Sequence, residues 1–377
     1  MKSILIFIVM ILSVFILDRA SHRSYSHNYA DQDVPSYIDH DNTPIHNRMN
    51  DTIASLGRVL FYDKKLSIDE TISCASCHQQ EYAFGDTAAL STGVHGLTTD
   101  RHAMRLVNIR HGESESLFWD NRIVSLEAQT TEPIKNHKEM GFSGAEGNPS
   151  MIDLIKRLDS IDYYKCLFAE AFQNAEITEE KIQLALAQFI RSIQSYDSKY
   201  DKGRAQVNDD KTPFPNFTDL ENRGKQLFLL PKADNGANCQ VCHRAPIFDI
   251  DPGTSNNGIT SVAGDPTRFD PMNNRSPTLR DLFNPSGTLN GPLMHDGSLK
   301  NLEAVIDHYN KIPMDPRNKE RLNSRLRTAD RKRGQQLNLT TEDKEALIAF
   351  LKTLTGNAVY CDEQWSDPFD KTGKLDI

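Results

Sequence analysis

A surplus of basic charge is the first thing this chain lacks. Its 377 residues carry 43 Lys and Arg against 52 Asp and Glu, a formal net charge of −9. No excess of cations is left to neutralise phosphates, which argues against nucleic acid as a partner. A membrane-spanning run is also missing, because the apolar stretch from Ser3 to Leu17 falls short of the about 20 residues that cross a bilayer. No Cys directly follows that stretch, which speaks against a lipid-anchored lipoprotein. Strand patterns are scarce, so the expected class is mainly α. The rest is ordinary: 38% hydrophobic and 25% charged residues describe a globular chain, long enough for two domains.

Met1-Lys2 and the apolar run after them have the form of an export signal. Residues 1–20 are therefore expected to be a signal peptide or an N-terminal anchor. Asp18 stands where a small residue is wanted for a cut after Ala20, so an uncleaved membrane tether stays open. Residues 21–50 are polar, with His22, His27, His40 and His46 but no apolar period. They are expected to form a linker with a few docked side chains and solvated histidines.

The chain holds six Cys, and four of them fall in two pentapeptides, Cys74-Ala75-Ser76-Cys77-His78 and Cys239-Gln240-Val241-Cys242-His243. In a C-x-x-C-H run two thiols can add to the two vinyl groups of one haem while the next His reaches the iron. Zinc pairs normally share one metal and need no such His. Two covalently attached haem c groups are therefore expected, with His78 and His243 as proximal ligands. Attachment of such haems outside the bacterial cytoplasm agrees with export, and the expected location is the periplasm. Cys166 and Cys361 remain, either as a pair or as two small buried residues.

One motif per half divides the chain into an N-terminal unit, 51–205, and a C-terminal unit, 217–377, with the Pro- and Asp-containing Gly203 to Phe217 stretch as boundary. Asp51 is placed as N-cap of a helix carrying Ile53, Leu56, Val59, Leu60 and Phe61. Gly85 to Asp100 is a loop, and helical patterns follow from Ile152 to Phe172 and from Ile182 to Ile193. The second half repeats the plan, with Leu220, Gly224, Leu227 and Phe228 ahead of its motif and a Thr340/Asp343 capping box near the end. Asp251 to Asn274 looks irregular. Arg317, Lys319, Arg321, Arg325, Arg327, Arg331, Lys332 and Arg333 form either a solvated face or a docking surface for an acidic protein. Helix, motif, loop and closing helix in each half amount to two cytochrome c-like domains facing across an interface.

A haem with one protein ligand can bind peroxide or oxygen, whereas one with two strong ligands only passes electrons. Between the motifs, Trp119, Gln129 and Glu139 supply an indole, an amide and a carboxylate, types that are individually common. The sequence resembles the bacterial dihaem cytochrome c peroxidase family, including MauG-type enzymes. The resemblance rests on Leu56-Gly57 with Leu60-Phe61-Tyr62-Asp63, both pentapeptides, Phe118-Trp119-Asp120-Asn121-Arg122, Ser125-Leu126-Glu127, Glu139-Met140-Gly141, Pro277-Thr278-Leu279-Arg280 and His295-Asp296-Gly297-Ser298. It implies reduction of hydrogen peroxide at the N-terminal haem, Glu139 as acid/base, Gln129 as its amide partner and Trp119 between the haems. Tyr309 falls where true peroxidases carry an axial Met and MauG-type enzymes a Tyr, with Met294, His308 and Met314 as alternatives. His95 lies near the position of a distal His that blocks the first haem in some members, and is either that ligand or a loop histidine. His102 stands where the family has an Asn that helps to hold an interhaem calcium, whose remaining ligands would be carbonyls near Asn290 and Pro292. The electron donor is expected to be a small periplasmic cytochrome c or copper protein. A protein substrate oxidised in the MauG manner, a non-catalytic electron-transfer cytochrome and a homodimer remain as alternatives.

Overall fold

The computed structural model describes residues 27–376 except 114–115, 251–255, 274 and 276. The expected export segment at 1–20, His22 and part of the 251–274 stretch lie outside the described residues. Among the described residues, no helix is long and apolar enough to cross a membrane.

Side-chain oxygens set where helices begin. Asn50, in extended backbone, accepts bonds from the Thr52 and Ile53 N–H groups at 3.0 Å each, so it caps α1, Asp51–Tyr62. The sequence pattern places Asp51 in this role, but Asp51 is already helical. Its carboxylate accepts instead from Tyr29 N (2.7 Å) and Ala30 N (2.8 Å), and this fastens the N-terminal segment. Tyr29 is fully buried and donates to Gln364 O, so the segment is anchored at both ends of the chain.

The remaining helices of the first half are α2 Cys74–Cys77, α3 Leu126–Thr130, α4 Glu132–Lys135, α5 Met151–Asp159, α6 Asp162–Phe172, α7 Glu179–Ser192 and α8 Lys199–Arg204. The second half carries α9 Asp219–Leu229, α10 Leu302–Asn310 and α11 Thr341–Lys352. Capping boxes start both long helices: Thr218 with Glu221, and Thr340 with Asp343. Several single 3-10 turns and two short antiparallel hairpins complete the described elements. In one, β1 His243–Arg244 pairs with β2 Asp249–Ile250; in the other, β3 Ser261–Val262 pairs with β4 Asp265–Phe269. The second hairpin lies in the stretch expected to be irregular. Its strands are too short to leave a period of two in the sequence.

The same helix crossing occurs twice. Gly57 of α1 faces the Ala185 carbonyl and the Phe189 Cβ of α7, and Gly224 of α9 faces the Ala346 carbonyl and the Phe350 Cβ of α11. An added methyl would collide with the carbonyl in either case. Each crossing lies in its own apolar core, one containing Leu60, Phe61 and Phe189, the other Phe228, Leu347 and Phe350.

Packing crosses the boundary drawn from sequence. Tyr200 belongs to the second core, while Val359 and Trp365 close over the first. Arg280, fully buried, bonds Asp201 at 2.9 and 3.0 Å and also reaches Ser195 O and Pro246 O. It thereby ties the end of the first half to the second. Removing one partner of a pair this deep costs about 3–5 kcal/mol.

Gly57→Ala and Gly224→Ala should each lower stability by at least about 1–3 kcal/mol, the ordinary cost of overpacking. Urea titration of each variant checks this, and wild-type midpoints would show that the helices can separate without loss.

Candidate functional site: two thiol–imidazole centres and a half-buried carboxyl group

α2 places the first pentapeptide. Ser73 and Ser76 form a capping box around it, and the His78 N–H bonds Cys74 O at 3.0 Å. The turn after it brings Phe84 O to 3.1 Å from His78 Nδ1. With the ring proton donated there, Nε2 keeps its lone pair for a metal. Burial lowers the His78 pKa, which keeps the ring neutral. Cys77, His78, Trp119, Gln129, Glu139 and Arg275 are among the residues lining a cavity of about 790 Å³, within the range of about 300–1,000 Å³ typical of ligand pockets. Two thiols, a pre-oriented imidazole and this volume fit a covalently attached haem.

Another part of the cavity wall is built on α3 and the loop after α4. Glu127 accepts from Arg191 Nη1 at 2.5 Å and Asn47 Nδ2 at 2.8 Å, which locks α3 to α7 and sets Gln129 on the cavity. Glu139 O accepts from Val94 N at 3.0 Å, and Gly93 lies against the Lys138 carbonyl where a side chain would not fit. Asn136 Nδ2 donates to Glu139 Oε1 at 3.0 Å, while Asn136 Oδ1 accepts from Lys138 N at 2.9 Å. The amide is therefore oriented with its donor on the carboxylate. Burial pushes the Glu139 pKa up to about 7, with Arg122 opposing and Asp100 adding to the rise. A smaller cavity of about 320 Å³ shares Phe118, Arg122, Asn136 and Glu139 with the first.

Trp119 is buried, and its indole N–H bonds His102 O at 2.8 Å. Its ring meets His295 edge-on at 6.2 Å, and His102 N donates to His295 O at 2.7 Å. The indole thus joins the first cavity to the His-Asp-Gly run of the second half. His102 Nδ1 bonds Ala88 O, and burial, helped by Arg105, lowers its pKa to about 4. Among the described residues no group of three or more His, Cys, Asp and Glu gathers as a metal site. Asn290 Nδ2 is directed to Asp281 O and the Tyr360 hydroxyl. The interhaem calcium expectation therefore rests on carbonyl oxygens. His95 stands apart from the cavity. Its side chain is 61% exposed, its N–H bonds Asp69 and its ring lies 3.7 Å from that carboxylate.

In the second half, Cys239–Val241 form a single turn leading to Cys242 and to His243 on β1. Burial lowers the His243 pKa to about 4, against the Phe248 and Pro277 carbonyls. Tyr309, on α10, is held above its ordinary pKa by burial and by the nearby Cys242 and Cys239 thiols, while a bond from Asn257 opposes the rise. The phenol is near enough to the thiol pair to feel its charge, and two thiols, an imidazole and a phenol are donor types that suit a second haem. His308 is committed elsewhere, with Nε2 2.9 Å from Asn257 O. Met314 packs with Tyr309 against the Ile312, Leu322 and Leu326 cluster. Cys166 and Cys361 are both exposed free thiols, so neither pairing nor burial describes them.

The model of the di-haem cytochrome c peroxidase family matches residues 51–209. The chain is 32% identical over 268 residues to the methylamine utilization protein MauG of Methylorubrum extorquens, covering 68% of each chain. This chain belongs to the di-haem cytochrome c peroxidase family. It is also 27% identical over 323 residues to cytochrome c551 peroxidase of Nitrosomonas europaea, 82% of this chain and 81% of that one. Among solved structures it is similar to a MauG-like protein associated with microbial copper homeostasis, at 30% identity and a TM-score of 0.69, covering 90% of this chain and 99% of that one. Membership in a di-haem family implies two c-type haems, in agreement with the two thiol pairs. Asn136 and Asn257 were not legible as site residues, since a lone Asn carries no spacing signal.

Intact mass spectrometry of the unfolded holoprotein should find two covalent haems. A Cys74→Ala/Cys77→Ala variant should retain one, and an unchanged mass increment would contradict the assignment.

Proposed function

We propose that this family member reduces hydrogen peroxide to water at the first centre, with electrons entering through the second. The observation that carries this reading is Glu139, a half-buried carboxyl on the wall shared by the two cavities, with its pKa pushed up to about 7. When bound, the haem held by Cys74, Cys77 and His78 supplies the iron that receives peroxide, and the one held by Cys239, Cys242 and His243 supplies the route for electrons. Each unit is then a cytochrome c-like domain, the two facing each other across Trp119.

The protein's own groups handle the protons. Glu139 takes a proton from one peroxide oxygen and returns it to the departing one, so that cleavage is heterolytic. Asn136 holds Oε1 and leaves Oε2 for the transfer. Gln129 orients the peroxide. Two electrons and two protons per peroxide leave two waters, and the donor is a small cytochrome c or copper protein. Covalent haem attachment supports a periplasmic location, with the apolar N-terminus as signal or tether. A second reading, oxidation of residues on a partner protein as in MauG-type enzymes, is favoured by Tyr309, which stands where the resemblance to those enzymes implies a tyrosine ligand.

General acid–base assistance contributes about 10²–10⁴-fold, so Glu139→Gln should slow the peroxide reaction by that factor with haem spectra nearly unchanged. The base form is the carboxylate, which dominates above pH 7 and is protonated below it. The rate constant for peroxide should therefore fall roughly tenfold per pH unit below an inflection near 7, and Glu139→Gln should remove the inflection. Asn136→Ala deletes a donor to the charged form, so its inflection should move to higher pH. A stopped-flow pH series that is flat in the wild type would remove Glu139 from the mechanism.

A further inference from the structure

One amide touches two of the side chains that the sequence offers as outer ligand of the second haem. Asn257 Nδ2 lies 3.3 Å from the Tyr309 hydroxyl and 3.4 Å from Met294 Sδ. Its orientation is fixed, because Oδ1 accepts from the Ile259 N–H at 3.0 Å and from Asn273 Nδ2 at 2.9 Å. The donor end must therefore face the phenol and the thioether, and an NH₂ group has one hydrogen for each.

The backbone beneath is equally constrained. The Asn257 carbonyl accepts from His308, the neighbour of Tyr309 on α10. Asn256 bonds Gly258 N, Asn318, Asn323 N and Pro271 O. Gly258 itself has φ +96°, a conformation natural only to glycine. Met294 also sits in the left-handed region, at φ +73°.

We propose that Asn257 selects the outer ligand of the second haem, presenting the Tyr309 oxygen to the iron and restraining Met294 sulfur. This rests on the reading that Tyr309 faces that iron. The choice matters because the donors differ in kind: a phenolate is a hard anion that favours oxidised iron, and a thioether is a soft neutral donor that favours reduced iron. A phenolate can accept the N–H and bind metal with its other lone pairs. A thioether is a weak acceptor, and an N–H on its sulfur both draws off electron density and pins its position. Asn257 is accordingly a positioning residue.

The test uses the ferric holoprotein, read by near-infrared charge-transfer absorption and by potentiometric titration of the second haem. Asn257→Asp keeps the acceptor for Ile259 and Asn273 but sets a carboxylate oxygen against the phenol; Asn257→Leu removes both functions. Circular dichroism confirms the fold of each. In both variants the phenolate signature should give way to a sulfur-to-iron band, with the potential shifted upward, and adding Met294→Leu should abolish that band. The proposal is overturned if the variants keep the wild-type band and potential while Tyr309→Phe alters both. It is also overturned if the phenolate signature is lost and no sulfur band follows. If Tyr309→Phe changes nothing, the ligand reading itself fails, and that result is distinct from the other two.

Discussion

Each half of the molecule depends on two helix backbones approaching more closely than side chains allow. Gly57 on α1 and Gly224 on α9 meet the Ala185 and Ala346 carbonyls with no room for a Cβ. The crossing fixes the helix that leads into each thiol pair, and so the direction from which Cys74 and Cys239 arrive. Phe189 and Phe350 then complete the two cores. A prosthetic group held through two thiols and an imidazole leaves little tolerance in that approach, so the same three-residue contact recurs in both halves.

The chemistry comes from what the two halves do differently. In the first, α3 and the Asn136–Glu139 loop enclose a carboxyl whose burial raises its pKa into the neutral range, where a proton can be taken up and given back. In the second, Asn257, His308 and Tyr309 form a bonded cluster. In the proposed reading the first centre admits a small molecule beside an acid/base, and the second holds a side chain in place. Trp119 on the first cavity meets His295 of the second half edge to face.

The thiol pairs were legible because their chemistry is written in five consecutive residues, and so was the Thr340/Asp343 cap, whose partners are three apart. Glu139, Gln129 and Trp119 became identifiable through the family resemblance, and the structure brings all three to one cavity. What sequence left hidden acts over distance. Asn136 and Asn257 matter through bonds that no spacing announces, Asp51 serves Tyr29 rather than its own helix, and the C-terminal segment returns to the first core. His95 illustrates the converse. A histidine in a Gly-rich loop invites a role at the iron, but its backbone N–H and ring are directed to Asp69 at the surface.

In the proposed reading His95 stays at the surface beside Asp69, Glu139 lies on the cavity wall, and peroxide reaches the first centre without prior reduction of the protein. The most direct measurement is rapid-scan absorption, visible through near-infrared, of the fully ferric holoprotein mixed with one equivalent of hydrogen peroxide. Immediate reaction, with spectral change at both haems, is the predicted result. A ferric protein that stays inert until one haem has been reduced would contradict it.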